Sequence, residues 1–167
     1  MLCAIGWRGS GYSPEFTENM NAIVLGRLRA DPQTPVVFTV MADAICRPCP
    51  SRRGMGCAAD DRIGRLDRRH AAALGIRSGQ RMTWAEAQAR ATARLRPGDL
   101  GRICSGCQWL DLGMCQSALA DLQRAEAGRG IFPPDQPAAW DGHDDAPAAK
   151  AALRGLRDRC ADAKSAP

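Results

Sequence analysis

The sequence predicts a small, mainly α-helical domain of irregular outline, with at most one or two short strands and two cysteine-bearing loops. Apolar residues recur at helical spacing in several segments, as Phe16, Met20 and Val24 do. Only residues 35–41 carry enough β-branched side chains to indicate a strand, and one strand cannot build a sheet core. Because the chain has 167 residues, one ordinary domain can hold a helical core.

Four or five helices are expected, and local signals mark where they start. Ser13 suits a helix cap, and Pro14 suits the first helical position. Thr83 and Glu86 form a capping box at the start of a later helix. The helical segments are expected over residues 13–31, 60–75, 83–95, 97–103 and 116–128, after an irregular lead-in over 1–12.

The composition changes near residue 128. Residues 1–127 are expected to form a cysteine-rich domain. Residues 128–167 are rich in Pro, Ala and Asp and are expected to form a flexible tail, in which 148–163 could make a weak helix. Cys160 lies in this tail and is expected to be a bystander thiol.

The cysteines of the domain fall into two groups with one spacing, Cys-x-x-Cys followed by seven residues and a third Cys. A Cys-x-x-Cys turn brings two sulfurs close to one metal centre, and thiolates select zinc, copper(I) or iron–sulfur clusters. The sequence therefore predicts a soft-metal site. Its candidate ligands are Cys46, Cys49 and Cys57 in the first group, Cys104, Cys107 and Cys115 in the second group, and Cys3.

Three arrangements of these ligands are compatible with the spacing. Each group could bind its own 4Fe–4S cluster, with Cys3 completing one of them. A single cluster or ion could instead take the Cys-x-x-Cys pairs of both groups. Four sulfurs could also bind structural zinc, although zinc-ribbon pairs usually stand about 15–20 residues apart, much less than the separation of Cys49 and Cys104. The Cys49-Pro50 sequence is familiar beside iron–sulfur clusters.

Other chemistry is thinly represented. Neither His70 nor His143 is expected beside both a nucleophile and a carboxylate, so no hydrolytic triad is predicted. No glycine-rich phosphate loop is present. Trp109 follows the second Cys-x-x-Cys turn and is equally compatible with shielding a cluster and with packing in the core. The acids that flank the first group, Asp43, Asp60 and Asp61, are expected to lie at the surface.

The composition also bears on the cellular location of the protein and on the classes of partner that it could bind. No run of about 18 apolar residues exists, and the N-terminus lacks a secretory signal. We therefore expect no membrane partner and a cytoplasmic location, where regularly spaced cysteines are more often metal ligands than disulfides. The net charge is +5, but its basic residues are spread along the chain. Even the densest set is expected to be a solvated helix face rather than a nucleic-acid surface: Arg62, Arg65, Arg68 and Arg69.

Several stretches of the chain have a specific order and spacing: residues 9–16 (GSGYSPEF), 45–50 (ICRPCP), 66–67 (LD) and 103–109 (ICSGCQW), with Cys115. Through these motifs the chain resembles the bacterial and archaeal domain of unknown function 1284. The resemblance covers about residues 1–125. The resemblance implies an iron–sulfur-binding protein for which no activity is established.

Two departures from the family pattern concern the candidate site. The family has paired histidines shortly before its first cysteine, whereas this chain begins Met1-Leu2-Cys3. We therefore expect the true start codon to lie upstream of Met1. The family also has two adjacent acids before the first Cys-x-x-Cys turn, and Ala44 replaces one of them.

The best functional interpretation is a cytosolic iron–sulfur protein used for electron transfer or for sensing redox state or oxygen. It would carry one or two clusters, most simply 4Fe–4S, and would act with a redox partner protein; whether it is also an enzyme stays open. The alternative is a zinc-stabilised interaction or nucleic-acid-binding module that uses the same cysteines structurally. Metal analysis of anaerobically purified protein separates the two.

Overall fold

The computed structural model describes residues 1–128, and within them helices dominate, as predicted. The α-helices are α1 (Leu2–Ile5), α2 (Pro14–Met20), α3 (Asp60–Leu74), α4 (Trp84–Arg94), α5 (Leu100–Ile103) and α6 (Met114–Gly128). A π-helical segment (Asn21–Leu28) follows α2, and short 3-10 turns span Pro97–Asp99 and Leu110–Leu112. The strands are β1 (Pro35–Val37), β2 (Arg52–Arg53), β3 (Gly56–Cys57) and β4 (Arg81–Thr83). All of the predicted tail except Gly128 lies outside the described residues, as do His143 and Cys160.

The structure has four short strands where one or two were expected. β1 lies in the segment that indicated a strand, whereas β2, β3 and β4 are too short to leave a pattern in the sequence. β1 pairs with β4 in an antiparallel sheet, with Pro35 opposite Thr83. β2 and β3 form a second antiparallel pair, with Arg52 opposite Cys57. The strand expected over 35–41 ends at Val37. These two-stranded pairs tie loops together and leave the core to the helices.

The N-terminal lead-in is helical where irregular structure was expected. α1 has only four residues, and Leu2, Ala4 and Ile5 on it are buried. A helix this short is not stable by itself in water, so local sequence signals cannot reveal it. It forms because its apolar side chains join the same core as Leu119 of α6.

The helix that begins at Ser13 starts as predicted and then changes its hydrogen bonding. Ser13 Oγ accepts a hydrogen bond from the Phe16 N–H at 3.2 Å. From Asn21 onward the turns widen to π-helical spacing, a feature that often marks functional sites. The Asn21 side chain accepts a hydrogen bond from the Trp7 indole N–H at 2.8 Å. The widened segment is therefore tied to the chain just after α1.

The central helices confirm the predicted start and end signals. α3 ends at Gly75, whose φ of 62° lies in the left-handed region that favours glycine. α4 begins with the predicted capping box of Thr83 and Glu86. Gln123 of α6 donates hydrogen bonds to the carbonyls of Thr92 and Leu95, which closes the end of α4. These contacts hold α4 against α6.

Aliphatic side chains dominate the centre of the core. Val24 and Leu100 are fully buried, and Leu74, Ile103 and Leu119 are about as well covered. Cys104 belongs to the same buried cluster. None of the helices within the described part of the chain has the length and apolar character needed to cross a membrane.

Replacing Thr83 with alanine is expected to lower the free energy of unfolding by about 1 kcal/mol. The hydroxyl accepts from the Glu86 N–H at 3.1 Å, and this amide would lose its partner. Urea denaturation measures the change. Thr83→Ser keeps the hydroxyl and is expected to lose much less; equal losses for both variants would show that the cap contributes nothing.

Candidate metal centre

The second Cys-x-x-Cys loop forms a tight turn at the end of α5. The Cys107 N–H donates to the Cys104 carbonyl at 2.8 Å, and the Ser105 N–H donates to the Arg102 carbonyl. Gly106 has a φ of 83°, a conformation that side chains other than glycine rarely adopt. The small residues between the two cysteines therefore permit the turn, as the sequence indicates.

Cys115 lies in the first turn of α6, directly against the end of α1. A Cβ atom added to Gly6 would stand only 2.5 Å from the Cys115 Sγ and 3.0 Å from its Cα. Only a residue without a side chain fits this contact. The close approach brings α1, and Cys3 on it, beside the second cysteine group.

Cys3, Cys104, Cys107 and Cys115 form what we call the four-cysteine group. Each of the four lies close enough to the other three for their thiolate charges to interact. Burial is the main cause that raises the pKa of Cys104 to about 12 and that of Cys115 to about 11, and the neighbouring thiolates add to both shifts. Cys3 keeps exposed surface, yet crowding protein atoms desolvate its thiol and raise its pKa as well. A bound cation would relieve this mutual repulsion.

Two basic side chains of α3 reach the same loop. His70 Nε2 lies 3.3 Å from the Cys104 Sγ. Burial lowers the pKa of His70 to about 3, so its ring is neutral at pH 7. Arg69 donates a hydrogen bond from Nη2 to the Ser105 carbonyl, between the two cysteines of the turn. The predicted solvated arginine face is therefore wrong at Arg69, because this side chain turns inward to hold the loop.

An aromatic pair covers another side of the second cysteine loop. Tyr12 packs edge-on against Trp109, with ring centroids 5.7 Å apart. Tyr12 also packs edge-on against Phe16 of α2. Trp109 is half-buried and lies outside the set of buried core residues. Trp109 is therefore not one of the buried core aromatics within the described residues.

The first Cys-x-x-Cys turn is built separately. The Cys49 N–H donates to the Cys46 carbonyl at 3.0 Å, and Asp43 Oδ1 accepts hydrogen bonds from the backbone amides of Ile45 and Cys46. Asn19 of α2 donates to the carbonyls of Ala44 and Ile45, which ties this loop to the domain. Burial is the main cause that raises the pKa of Cys46, and the charges of Asp43 and Cys49 contribute.

Cys57 stands on β3 and has a local environment of its own. Its N–H donates to Asp60 Oδ1, and its Sγ accepts from the Ala59 N–H at 3.4 Å. Asp43 and Asp60 are thus more than the surface acids that the sequence suggests, since each accepts backbone hydrogen bonds that shape a cysteine loop. A cavity of about 580 Å³, open to solvent, lies beside Cys57 at the start of α3.

Asp67 of α3 lies between the two sets of cysteines. The negative charge of Asp67 contributes to the raised pKa of Cys3 in the four-cysteine group. The charge of Asp43, beside the first group, contributes in turn to the raised pKa of Asp67. Burial is the main cause that raises the pKa of Asp67. Asp67 thus interacts electrostatically with residues of both cysteine regions, and within the described residues no set of donors from them is gathered tightly enough to hold one metal ion.

The seven predicted ligands are distributed unevenly by the fold. Four of them form the four-cysteine group, Cys46 and Cys49 form a separate pair, and Cys57 stands apart on the hairpin. Within residues 1–128, no three His, Cys, Asp or Glu side chains converge tightly enough to hold one metal ion as they stand.

Sequence reasoning missed His70 and Arg69 as neighbours of the cysteines. A usable signal was present for His70, which follows the buried Leu66 by four residues and precedes the buried Leu74 by four. Residues at this spacing share one helix face, so His70 points inward. Arg69 gives no such signal, because its partner is a backbone carbonyl 36 residues away.

Comparison with known proteins identifies a family for this chain, and that family has no known activity. A family described as a protein of unknown function (DUF1284) matches residues 11–113. The matched range includes the whole first cysteine group and the second group up to Cys107, and it leaves out Cys3 and Cys115. No curated protein and no solved structure matches the chain. The match covers more than half of the sequence, so the chain belongs to the DUF1284 family of proteins of unknown function.

Proposed function

We propose that the four-cysteine group holds an iron–sulfur cluster, most simply 4Fe–4S, and that the protein carries electrons or senses redox state or oxygen. The observation that carries the proposal is that four cysteines from three separate parts of the chain lie close enough for their charges to interact: α1, the turn after α5 and the start of α6. Four cysteine thiolates are the usual ligand set of such a cluster. Of the three arrangements allowed by the sequence, this geometry supports the one in which Cys3 completes the second group.

A cluster suits the four-cysteine group better than zinc. Zinc bound by four thiolates needs sulfurs about 4 Å apart, since each Zn–S bond is about 2.3 Å. The thiols of this group interact electrostatically, yet no three donors in the described part of the chain lie close enough to hold one ion as they stand. Ligands around a cluster of several metal atoms stand further apart than ligands around one ion.

The surroundings of the group suit a carrier of single electrons. A bound cluster would supply one-electron chemistry, and its potential depends on hydrogen bonds to the sulfurs and on solvent exposure. His70 stands within hydrogen-bonding distance of the Cys104 sulfur, and Tyr12 and Trp109 limit the access of water. With a cysteine for each iron, no iron would be open to a substrate, which favours electron transfer or sensing over catalysis.

The first group supports a second centre less well. Cys46 and Cys49 share a turn, but Cys57 has its own hydrogen bonds on the hairpin. A second 4Fe–4S cluster there would need a ligand other than cysteine. We therefore infer one cluster from this geometry, and the three cysteines of the first group remain candidate ligands for a second.

Protein purified without oxygen is expected to be brown and to contain about four iron and four sulfide per chain. Colourless protein with stoichiometric zinc would overturn the proposal in favour of a zinc-stabilised module. A content of about eight iron and eight sulfide would restore the second cluster. A redox partner is sought afterwards with the loaded, full-length protein.

Replacing Arg69 with glutamine is expected to weaken retention of the centre by about tenfold, the lower end of the effect of groups that position metal ligands. The variant loses the hydrogen bond to the Ser105 carbonyl that holds the turn between Cys104 and Cys107. Iron release to a chelator measures the change. Arg65→Gln is the matched control, because Arg65 is exposed on the same helix; equal release from both variants would contradict the assigned role.

A further inference from the structure

A cleft of about 320 Å³ lies where α1, α4 and α6 meet, beyond the four-cysteine group. Its volume is at the lower end of the range of about 300–1,000 Å³ found for small-molecule sites. Polar side chains from the three helices and from the neighbouring segments line it, among them Arg8, Arg29, Trp84, Gln88 and Asp121. Neither the family nor the cysteine chemistry accounts for this cleft.

The indole N–H of Trp84 lacks a hydrogen-bond partner. Trp84 is only 3% exposed, and its Nε1 is buried with no acceptor in range. A buried donor without a partner costs about 1–3 kcal/mol. The indole of Trp7, by contrast, donates to Asn21 at 2.8 Å. Trp84 is one of the residues that line the cleft, so a ligand that displaced its ring slightly and brought an acceptor to this N–H would remove the penalty.

Positive charge exceeds negative charge in the cleft. Arg29 is held in place by hydrogen bonds from its Nη2 to the carbonyls of Trp7 and Ile5, at 2.8 and 3.3 Å. Arg8 stands near enough for its charge to act on Arg29. Asp121 is the one acid among the lining residues; its Oδ2 lies 3.7 Å from Arg8 Nη2, and it also pairs with Arg124. An anion would offset the surplus.

The other walls of the cleft are apolar. Ile5 and Ala118 are buried at its base, and Leu122 and Ala125 continue the same face of α6. Trp84 is the aromatic residue among those that line the cleft. A few polar groups converging on an apolar cavity are typical of sites for small organic molecules.

We propose that this cleft binds a small organic carboxylate with an apolar body. The carboxylate pairs with Arg8 and Arg29, an oxygen of the ligand accepts from the Trp84 N–H, and the apolar body packs against the α6 face. Guanidinium groups bind carboxylates with charge-assisted hydrogen bonds, which gives the site its preference for this class. The proposal stands independently of the metal at the four-cysteine group.

Benzoate is a suitable probe, because it joins a carboxylate to a compact apolar ring. Titration of the ¹⁵N-labelled full-length protein with benzoate is expected to shift the indole N–H signal of Trp84 in a saturable way. Trp84→Phe identifies that signal by its loss. The Trp7 signal, whose N–H already has a partner, serves as the internal reference and is expected to move less.

Charge variants test the assigned contacts. Arg8→Gln and Arg29→Gln are each expected to raise the dissociation constant of benzoate about tenfold. Arg27→Gln is the matched control, since Arg27 is exposed two residues before Arg29 and does not line the cleft. Arg29 also donates hydrogen bonds to backbone carbonyls, so its variant could fail to fold. In that case the Arg8→Gln variant alone tests the assigned contacts.

Three outcomes would overturn the proposal. One is a Trp84 signal that does not respond to benzoate, and another is a response that Arg27→Gln weakens as much as Arg8→Gln does. The third is an equal response to inorganic phosphate, which would show that charge alone is recognised and that the apolar wall plays no part.

Discussion

Replacing Cys104 with serine is expected to lower the iron content of anaerobically purified protein by at least about tenfold. Changes to residues that only hydrogen-bond a metal ligand already lower metal affinity by about 10–100-fold, and the loss of a ligand itself should cost no less. Cys104 interacts with the other three cysteines of the group, and it is the buried member of the four. A serine hydroxyl is a poor ligand for soft metals. Iron and sulfide analysis, with the visible absorption of the protein, measures the loss.

Two further variants separate a ligand effect from a folding effect. Cys107→Ser removes a proposed ligand at a half-buried position, where the cost to the core is smaller, and is expected to lose iron to the same extent. Cys57→Ser changes a half-buried cysteine outside the four-cysteine group and is expected to keep its iron. Iron that survives in both the Cys104 and the Cys107 variants would remove the second group from the ligand set.

Replacing Gly6 with alanine is expected to destabilise the protein by about 1–3 kcal/mol, the usual cost of forcing extra atoms into a packed site. The new methyl group would stand 2.5 Å from the Cys115 sulfur and 3.0 Å from its Cα, too close for either to stay in place. The shift separates α1 from α6 and moves Cys3 away from the other three cysteines. Iron retention is therefore expected to fall along with the free energy of unfolding.

Gly101→Ala is the matched control for this substitution. Gly101 lies within α5, and an added Cβ there would meet no heavy atom within 4 Å. Alanine favours helix over glycine, so this variant is expected to gain about 0.5–1 kcal/mol and to keep its iron. Urea denaturation and iron analysis of both proteins give the comparison. Full iron retention in the Gly6 variant would show that Cys3 is not part of the centre.

Helix starts and ends were the most predictable features of the fold. The Ser13 cap, the Thr83–Glu86 capping box and the Gly75 end are all confirmed. Each depends on residues within about four positions of one another, so a short stretch of sequence contains the whole signal. The π-helical segment after Asn21 gives no such local signal, because helical spacing of apolar residues predicts both kinds of turn.

The features that the sequence did not predict depend on distant partners. α1 forms because Leu2 and Ile5 enter the shared core, and the strand pairs join segments whose own propensities are weak. The inward turn of Arg69 depends on the Ser105 carbonyl. Single-sequence patterns contain propensities and spacings, and these do not specify which segments meet in space.

For the candidate centre, the sequence by itself identified the candidate ligands and predicted that each Cys-x-x-Cys pair shares a tight turn. It left three groupings open, since sulfurs from α1, from the turn after α5 and from α6 are far apart along the chain. Only the tertiary structure decided that Cys3 lies with the second group, while Cys46, Cys49 and Cys57 stand apart. The physical reason is close packing: a glycine at position 6 lets α1 lie against Cys115, and that contact exists only once the helices have met.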